Sequence, residues 1–203
     1  MEQQQEPLIT LQDISVNGLA AINFSAHAGE CICISGPSGS GKSLLLRALA
    51  DLIPHQGEVY FQGSACSAMP ATQWRKQVGL LPAESFWWHE HVGDHFTQDC
   101  DDDLQHLGFD KQVYDWSVMR CSTGERQRLA LLRLLCRQPK VLLLDEPTAS
   151  LDEKNVQAVE ALIKKYQATG GTVIWVSHDT NQIQRIADRH YRITGNQLQE
   201  VSA

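Results

Sequence analysis

The first third of the chain alternates apolar and polar residues at period two, as strands with one buried face do. Four segments follow that pattern: LITLQDISV (8–16), AINFSA (21–26), ECICIS (30–35) and GEVYFQG (57–63), with Gly and Asn marking the turns between them. Leu45, Leu49 and Leu52 then recur at helical spacing. PATQWRKQ (70–77) reads as a short helix before the apolar strand VGLLP (78–82). From Ala83 to Met119 the periodicity is lost among aromatic and acidic clusters, and an inserted subdomain of short helical pieces is expected. Thr123 to Gln138 is the strongest helix, with Arg126, Arg133 and Arg137 on one side, leucines on the other and Pro139 closing it. Val141 to Asp145 is a continuous apolar run suited to a central parallel strand covered on both faces. A helix over Glu153–Ala168 carries Val156, Val159, Ile163 and Tyr166 on one stripe and stops at Gly170 and Gly171. Strand TVIWVS (172–177), a helix over Asn181–Asp188 and two short strands around Tyr191 and Leu198 complete the pattern. Strands alternating with helices predict an α/β fold with a mainly parallel sheet, an N-terminal antiparallel β subdomain and a small inserted α-helical subdomain.

At 203 residues the chain is read as one domain, 1–203, with the insertion at about 83–138. A formal net charge of −7 argues against a nucleic-acid partner, whose phosphates call for clustered Lys and Arg. No stretch approaches the roughly 18 uninterrupted apolar residues of a membrane span, and MEQQQEP lacks a signal-peptide core, so a cytosolic location is expected. The six cysteines contain no CxxC pair, and neither a disulfide framework nor a common zinc spacing is visible. Cys31 and Cys33 share a strand face as a thiolate pair or as small buried hydrophobes, and the alternation favours the second.

The chemistry begins at GPSGSGKS: Gly36, Pro37, Ser38, Gly39, Ser40, Gly41, Lys42 and Ser43. Between an apolar strand and a helix, such a loop curls so that its N–H groups and the helix N-terminus face phosphate oxygens. Lys42 would reach the outer phosphates, and the Ser43 hydroxyl would bind Mg²⁺. A second motif, VLLLDEPTASLD, ends a buried strand in two carboxylates. Asp145 would hold Mg²⁺, and Glu146 would polarise the attacking water as general base. The plainer alternatives are a chance Gly/Ser turn and a solvated acidic turn ended by Pro147.

With CSTGERQRLALLR (121–133) and WVSHD (175–179) added in this order and spacing, the chain resembles the ATP-binding cassette, or ABC, ATPases over nearly its whole length. That resemblance implies a P-loop NTPase fold and ATP hydrolysis with Mg²⁺. Ser122 and Gly124, opening the signature helix, would face the γ-phosphate bound by a second protomer, with Asp152 of the D-loop nearby. Lys42, Glu146 and His178 would carry catalysis. The implied partners are a second cassette, in a homodimer or heterodimer, and transmembrane permease subunits that hold the chain at the cytosolic face of the inner membrane. A catalytically weak regulatory subunit and a soluble ABC ATPase without a permease are the rival readings.

Three departures from the family pattern stand out. The usual glutamine after VGLLP is Ala83, and the neighbouring Glu84 is a substitute Mg²⁺ ligand or a solvated residue. The signature reads CSTGE, with Thr123 in place of a glycine. No aromatic residue lies in 1–23 to stack on adenine, leaving apolar contact from around Val16. In SFWWHEHVGDHF, His89, His91 and His95 are candidate metal ligands, and Trp87 and Trp88 are candidate anchors for a partner helix, the better-supported use of this stretch.

Overall fold

The computed structural model of the chain describes residues 6–16, 18–98 and 100–201. Strands β1 (Ile9–Ser15), β2 (Ile22–Ala26), β4 (Gln56–Phe61) and the two-residue β5 (Ser64–Ala65) form an antiparallel sheet in the order β2-β1-β4-β5. The second sheet holds β3 (Cys31–Ser35), β6 (Val78–Leu81), β7 (Val141–Asp145), β8 (Thr172–Val176), β9 (Arg189–Thr194) and β10 (Gln197–Val201), in the order β10-β9-β3-β8-β7-β6. Every pairing in it is parallel except β9 with β10. The helices are α1 (Lys42–Leu49), α2 (Ala71–Gln77), α3 (Asp101–His106), α4 (Thr123–Leu135), α5 (Glu153–Ala168) and α6 (Thr180–Ile186).

Two apolar layers flank the parallel sheet, and side-chain alternation divides its strands between them. Ile32 and Ile34 of β3, Val141 and Leu143 of β7, and Ile174 and Val176 of β8 pack with α1 and the antiparallel sheet. Cys31, Cys33, Leu142, Leu144, Val173 and Trp175 face the opposite way, against α4 and α5. All five residues of β7 are buried, which is why this strand carries no polar alternation. Cys31 and Cys33 thus serve as small core residues. In the antiparallel sheet, β1 bulges between Leu11 and Ile14, with Asp13 at φ 53°. Gly57 lies opposite at φ +81°, where a Cβ would stand 2.4 Å from the carbonyl oxygens of Gln12 and Asp13, so only glycine fits.

Several expectations are corrected. The first helix ends at Leu49, and Leu52 is exposed beyond it. The signature helix ends at Leu135, and Gln138 takes a left-handed φ of 51° before Pro139. The last helix stops at Ile186, because the Asp188 N–H pairs with the Cys31 carbonyl at 2.9 Å to start β9. The insertion holds the short helical pieces expected of it: α3, and 3-10 turns at Gly93–His95, Lys111–Asp115 and Val118–Arg120. Although cysteine spacing suggested no disulfide, Cys100 at the start of α3 pairs with Cys136 at the end of α4, their Cα atoms 6.0 Å apart. Across 36 residues, such proximity is invisible to spacing alone.

Candidate nucleotide site

The C-terminal ends of β3, β7 and β8 converge, as open α/β sheets arrange their ligand sites. β3 delivers the loop from Gly36 to Ser43, β7 delivers Asp145 and Glu146, and β8 delivers Ser177 and His178. Gly41, at φ +95°, caps α1 in a left-handed conformation, and a Cβ there would press to 2.9 Å from Leu19. Lys42 turns back over the loop, its Nζ donating to the carbonyls of Gly36 and Pro37 at 2.9 Å each. Burial holds its ammonium below the ordinary lysine pKa, while Glu146 and Asp145 pull it upward. The Ser40 hydroxyl oxygen is buried without a hydrogen-bond partner, an orphan inside the loop that a phosphate oxygen would satisfy.

Asp145 is 4% exposed, and the Ser43 hydroxyl lies beside its carboxylate. Burial raises its pKa, the Ser43 hydroxyl opposes that rise, and Glu146 adds to it. Two hard oxygen donors in contact, one of them a poorly solvated carboxylate, suit Mg²⁺. Glu146 sits at φ 49°, a sparsely populated conformation for a residue with a Cβ. Its N–H donates to the Val176 carbonyl at 3.1 Å, and its Oε1 lies 2.7 Å from Nε2 of His178. Both side chains remain partly open to solvent and line one cleft with Thr148, Ser177 and Gln182.

The signature segment opens α4 with a capping box. Ser122 caps α4, its hydroxyl accepting from the Glu125 N–H at 3.2 Å, while its own N–H and hydroxyl donate to the Glu125 carboxylate at 2.8 and 2.9 Å. The Ser122 N–H bond holds the Glu125 carboxyl below its usual pKa. Gly124 packs against the D-loop: a Cβ would stand 3.0 Å from Leu151 and 3.1 Å from the Ser150 carbonyl. Asp152 caps α5, its Oδ1 accepting from the Asn155 N–H at 2.9 Å.

Other expected residues lie apart from this group. Glu84 is exposed, and among the described residues no three His, Cys, Asp or Glu side chains form a metal-sized cluster. Val16 is only 5% exposed, so its side chain belongs to the core and is not presented to a base. His95 is a buried structural group: its Nε2 accepts from the N–H groups of Trp88 and His89 at 3.0 Å, and its Nδ1 lies 3.0 Å from the His91 carbonyl. Trp88 and Phe86 are 66% and 71% exposed, and Arg133 lies 4.4 and 4.9 Å above the Trp87 and Trp88 rings. Sequence reading missed Gln127 and Gln182, both buried amides. Gln127 donates to the Pro82 carbonyl at 3.2 Å and ties α4 to the segment after β6.

A family model described as ABC transporter matches residues 19–149. The chain is 34% identical over 200 residues to the probable iron export ATP-binding protein FetA of Escherichia coli, covering 89% of each chain. It is 34% identical over 212 residues to the vitamin B12 import ATP-binding protein BtuD of Photorhabdus laumondii, covering 94% of this chain and 83% of that one. Its fold matches a bacterial Atm1-family ABC exporter with ATP bound at a TM-score of 0.85 and 24% identity, covering 96% of this chain and 38% of the exporter chain.

Proposed function

We propose a function from one premise: the chain belongs to the ABC transporter family of ATP-binding subunits. It binds and hydrolyses ATP to energise transport, alongside membrane permease subunits. Among the described residues, no helix is long and apolar enough to cross a membrane.

The loop from Gly36 to Ser43 cradles the phosphates, with Lys42 leaving the Gly36 and Pro37 carbonyls to pair with the outer ones. Ser43 and Asp145 hold Mg²⁺; when bound, the ion neutralises charge on the phosphate oxygens. Glu146 takes a proton from the attacking water, and His178, bonded to it, fixes the carboxylate and faces the terminal phosphate. The observation that carries this reading is the 2.7 Å contact between Glu146 and His178 beside the buried Asp145 and the half-buried Ser43.

Ser122 and Gly124 complete the site of a second copy. Two half-sites then close over each triphosphate, and the phosphate displaces the Glu125 carboxylate from the donors of Ser122. A groove of about 430 Å³ between β6 and α4, lined by Phe86, Trp88, Phe96, Leu134 and Arg137, receives a permease helix and holds the chain at the cytosolic face of the inner membrane. Steady-state phosphate release by the full chain, with Glu146→Gln as control, tests the assignment. Release that survives this change removes Glu146 from the role of general base.

A further inference from the structure

Beneath the Glu146–His178 pair lies a polar network whose hub, Gln182, belongs to none of the recognised motifs. Gln182, on α6, is 2% exposed. Its carboxamide oxygen accepts from the Ser177 hydroxyl at 2.9 Å and stands 3.2 Å from the Thr148 hydroxyl. Its amide nitrogen lies 3.0 Å from that same Thr148 oxygen and donates to Oε1 of Glu160 at 3.1 Å. Glu160, 7% exposed on α5, is gripped by Arg185 through Nη2 at 2.7 Å and Nε at 3.1 Å. Every polar group of the carboxamide is engaged, so the network has one well-satisfied arrangement and resists displacement.

Position gives the network its meaning. Ser177 directly precedes His178, and Thr148 follows Glu146 by two residues. Glu146 itself holds a strained φ of 49°, which persists only where the surroundings over-determine it. Its backbone has two visible restraints: its N–H bond to Val176 at 3.1 Å, and its carbonyl, which accepts from Ala149 at 3.2 Å. The turn that follows, through Thr148, is fastened to the segment bearing His178 by the Gln182 carboxamide. We infer that Gln182 is a positioning residue for hydrolysis, clamping Thr148 to Ser177 so that Glu146 and His178 keep their 2.7 Å contact. The inference rests on the reading of Glu146 and His178 as the hydrolytic pair.

Two substitutions test it by steady-state phosphate release from the full chain. Gln182→Ala is expected to lower kcat by about 10- to 100-fold, the scale of an ångström of misplacement, with KM for ATP changed by less than about threefold. Gln182→Glu keeps the shape and the acceptor for Ser177 and Thr148 but sets a second carboxylate against Glu160. The other charges about that point are Arg185, with Asp179 and Glu153 beside its guanidinium, and Glu146 and His178 on the same cleft. At neutral pH the two carboxylates repel each other; on acidification one proton bridges them and restores the clamp. The ratio of this variant's kcat to the native value is therefore expected to rise about fivefold or more between roughly pH 8 and pH 6. A flat ratio, or a folded Gln182→Ala protein with native kcat, overturns the inference. If Glu146→Gln retains native turnover, the underlying hydrolytic reading fails instead.

Discussion

Nε2 of His178 stands 2.7 Å from Oε1 of Glu146, joining the second residue after β8 to the residue after β7. Glu146 is thereby aimed by a neighbour on another strand and not only by its own turn. Replacing it with Gln preserves the hydrogen bond and removes the base. Expected is a fall in kcat of about 10²- to 10⁴-fold with ATP affinity within about threefold of native. Phosphate release and nucleotide titration check both. Lost affinity would assign Glu146 to binding.

Asp145 presents a trade between stability and chemistry. Its raised pKa means the folded state holds the ionised carboxylate less well than the unfolded chain does. The ionised form therefore weakens the fold above the unfolded value near 3.9, and that loss is relieved as pH falls below the raised folded value. Asp145→Asn keeps an oxygen for the Ser43 hydroxyl and deletes the charge. Without nucleotide it is expected to raise Tm by about 2 °C, while abolishing the further Mg²⁺-dependent rise in the presence of ATP. Thermal melts with and without Mg²⁺ check this. An unchanged Mg²⁺ response excludes Asp145 as a ligand.

Ser122 unites a structural and a functional role in one hydroxyl. Ser122→Ala removes the acceptor for the Glu125 N–H at 3.2 Å and is expected to cost about 1 kcal/mol of stability. Ser122→Asp keeps a cap acceptor but sets a charge against both the Glu125 carboxylate and the phosphate, so it should cost at least as much stability as Ser122→Ala and lose ATP-driven association as well. Denaturant unfolding beside light scattering separates the two effects. Native association by Ser122→Asp would confine the residue to capping.

His95 makes the Trp87–Trp88 loop sensitive to pH. Burial first, then the nearby charges of Arg133 and His89, hold its pKa below the ordinary value near 6.5. The neutral ring accepts from two backbone N–H groups through Nε2 and donates to the His91 carbonyl through Nδ1. Its contribution to stability is therefore complete above about 6.5 and lost as pH falls through the lowered folded value. The native protein is expected to lose more Tm between about pH 7 and pH 5 than His95→Gln, whose side chain does not titrate. Parallel losses would remove His95 as the cause.

Much of this was legible where one local rule acts over many residues. The five-residue apolar run of β7 announces burial on both faces, and the stripe through Val159 and Ile163 marks α5 to its last residue. The phosphate loop and the acidic pair were legible because backbone conformation and metal chemistry restrict the residues allowed there. The insertion's individual turns were not, because 3-10 turns have no long period and the order there depends on His95 binding three backbone groups. Nor was Gln182 legible: one amide in a short polar helix looks solvated until β7, α5 and α6 are brought together. Cys100 and Cys136 meet only after α4 has folded back across the insertion.

Mass measurement across ATP binding tests the shared site most directly. Sedimentation equilibrium of Glu146→Gln with ATP and Mg²⁺ is expected to give a particle of twice the 22.7 kDa chain mass, returning to 22.7 kDa when ATP is withdrawn. A single 22.7 kDa species at every saturating nucleotide concentration would contradict two half-sites closing over one triphosphate.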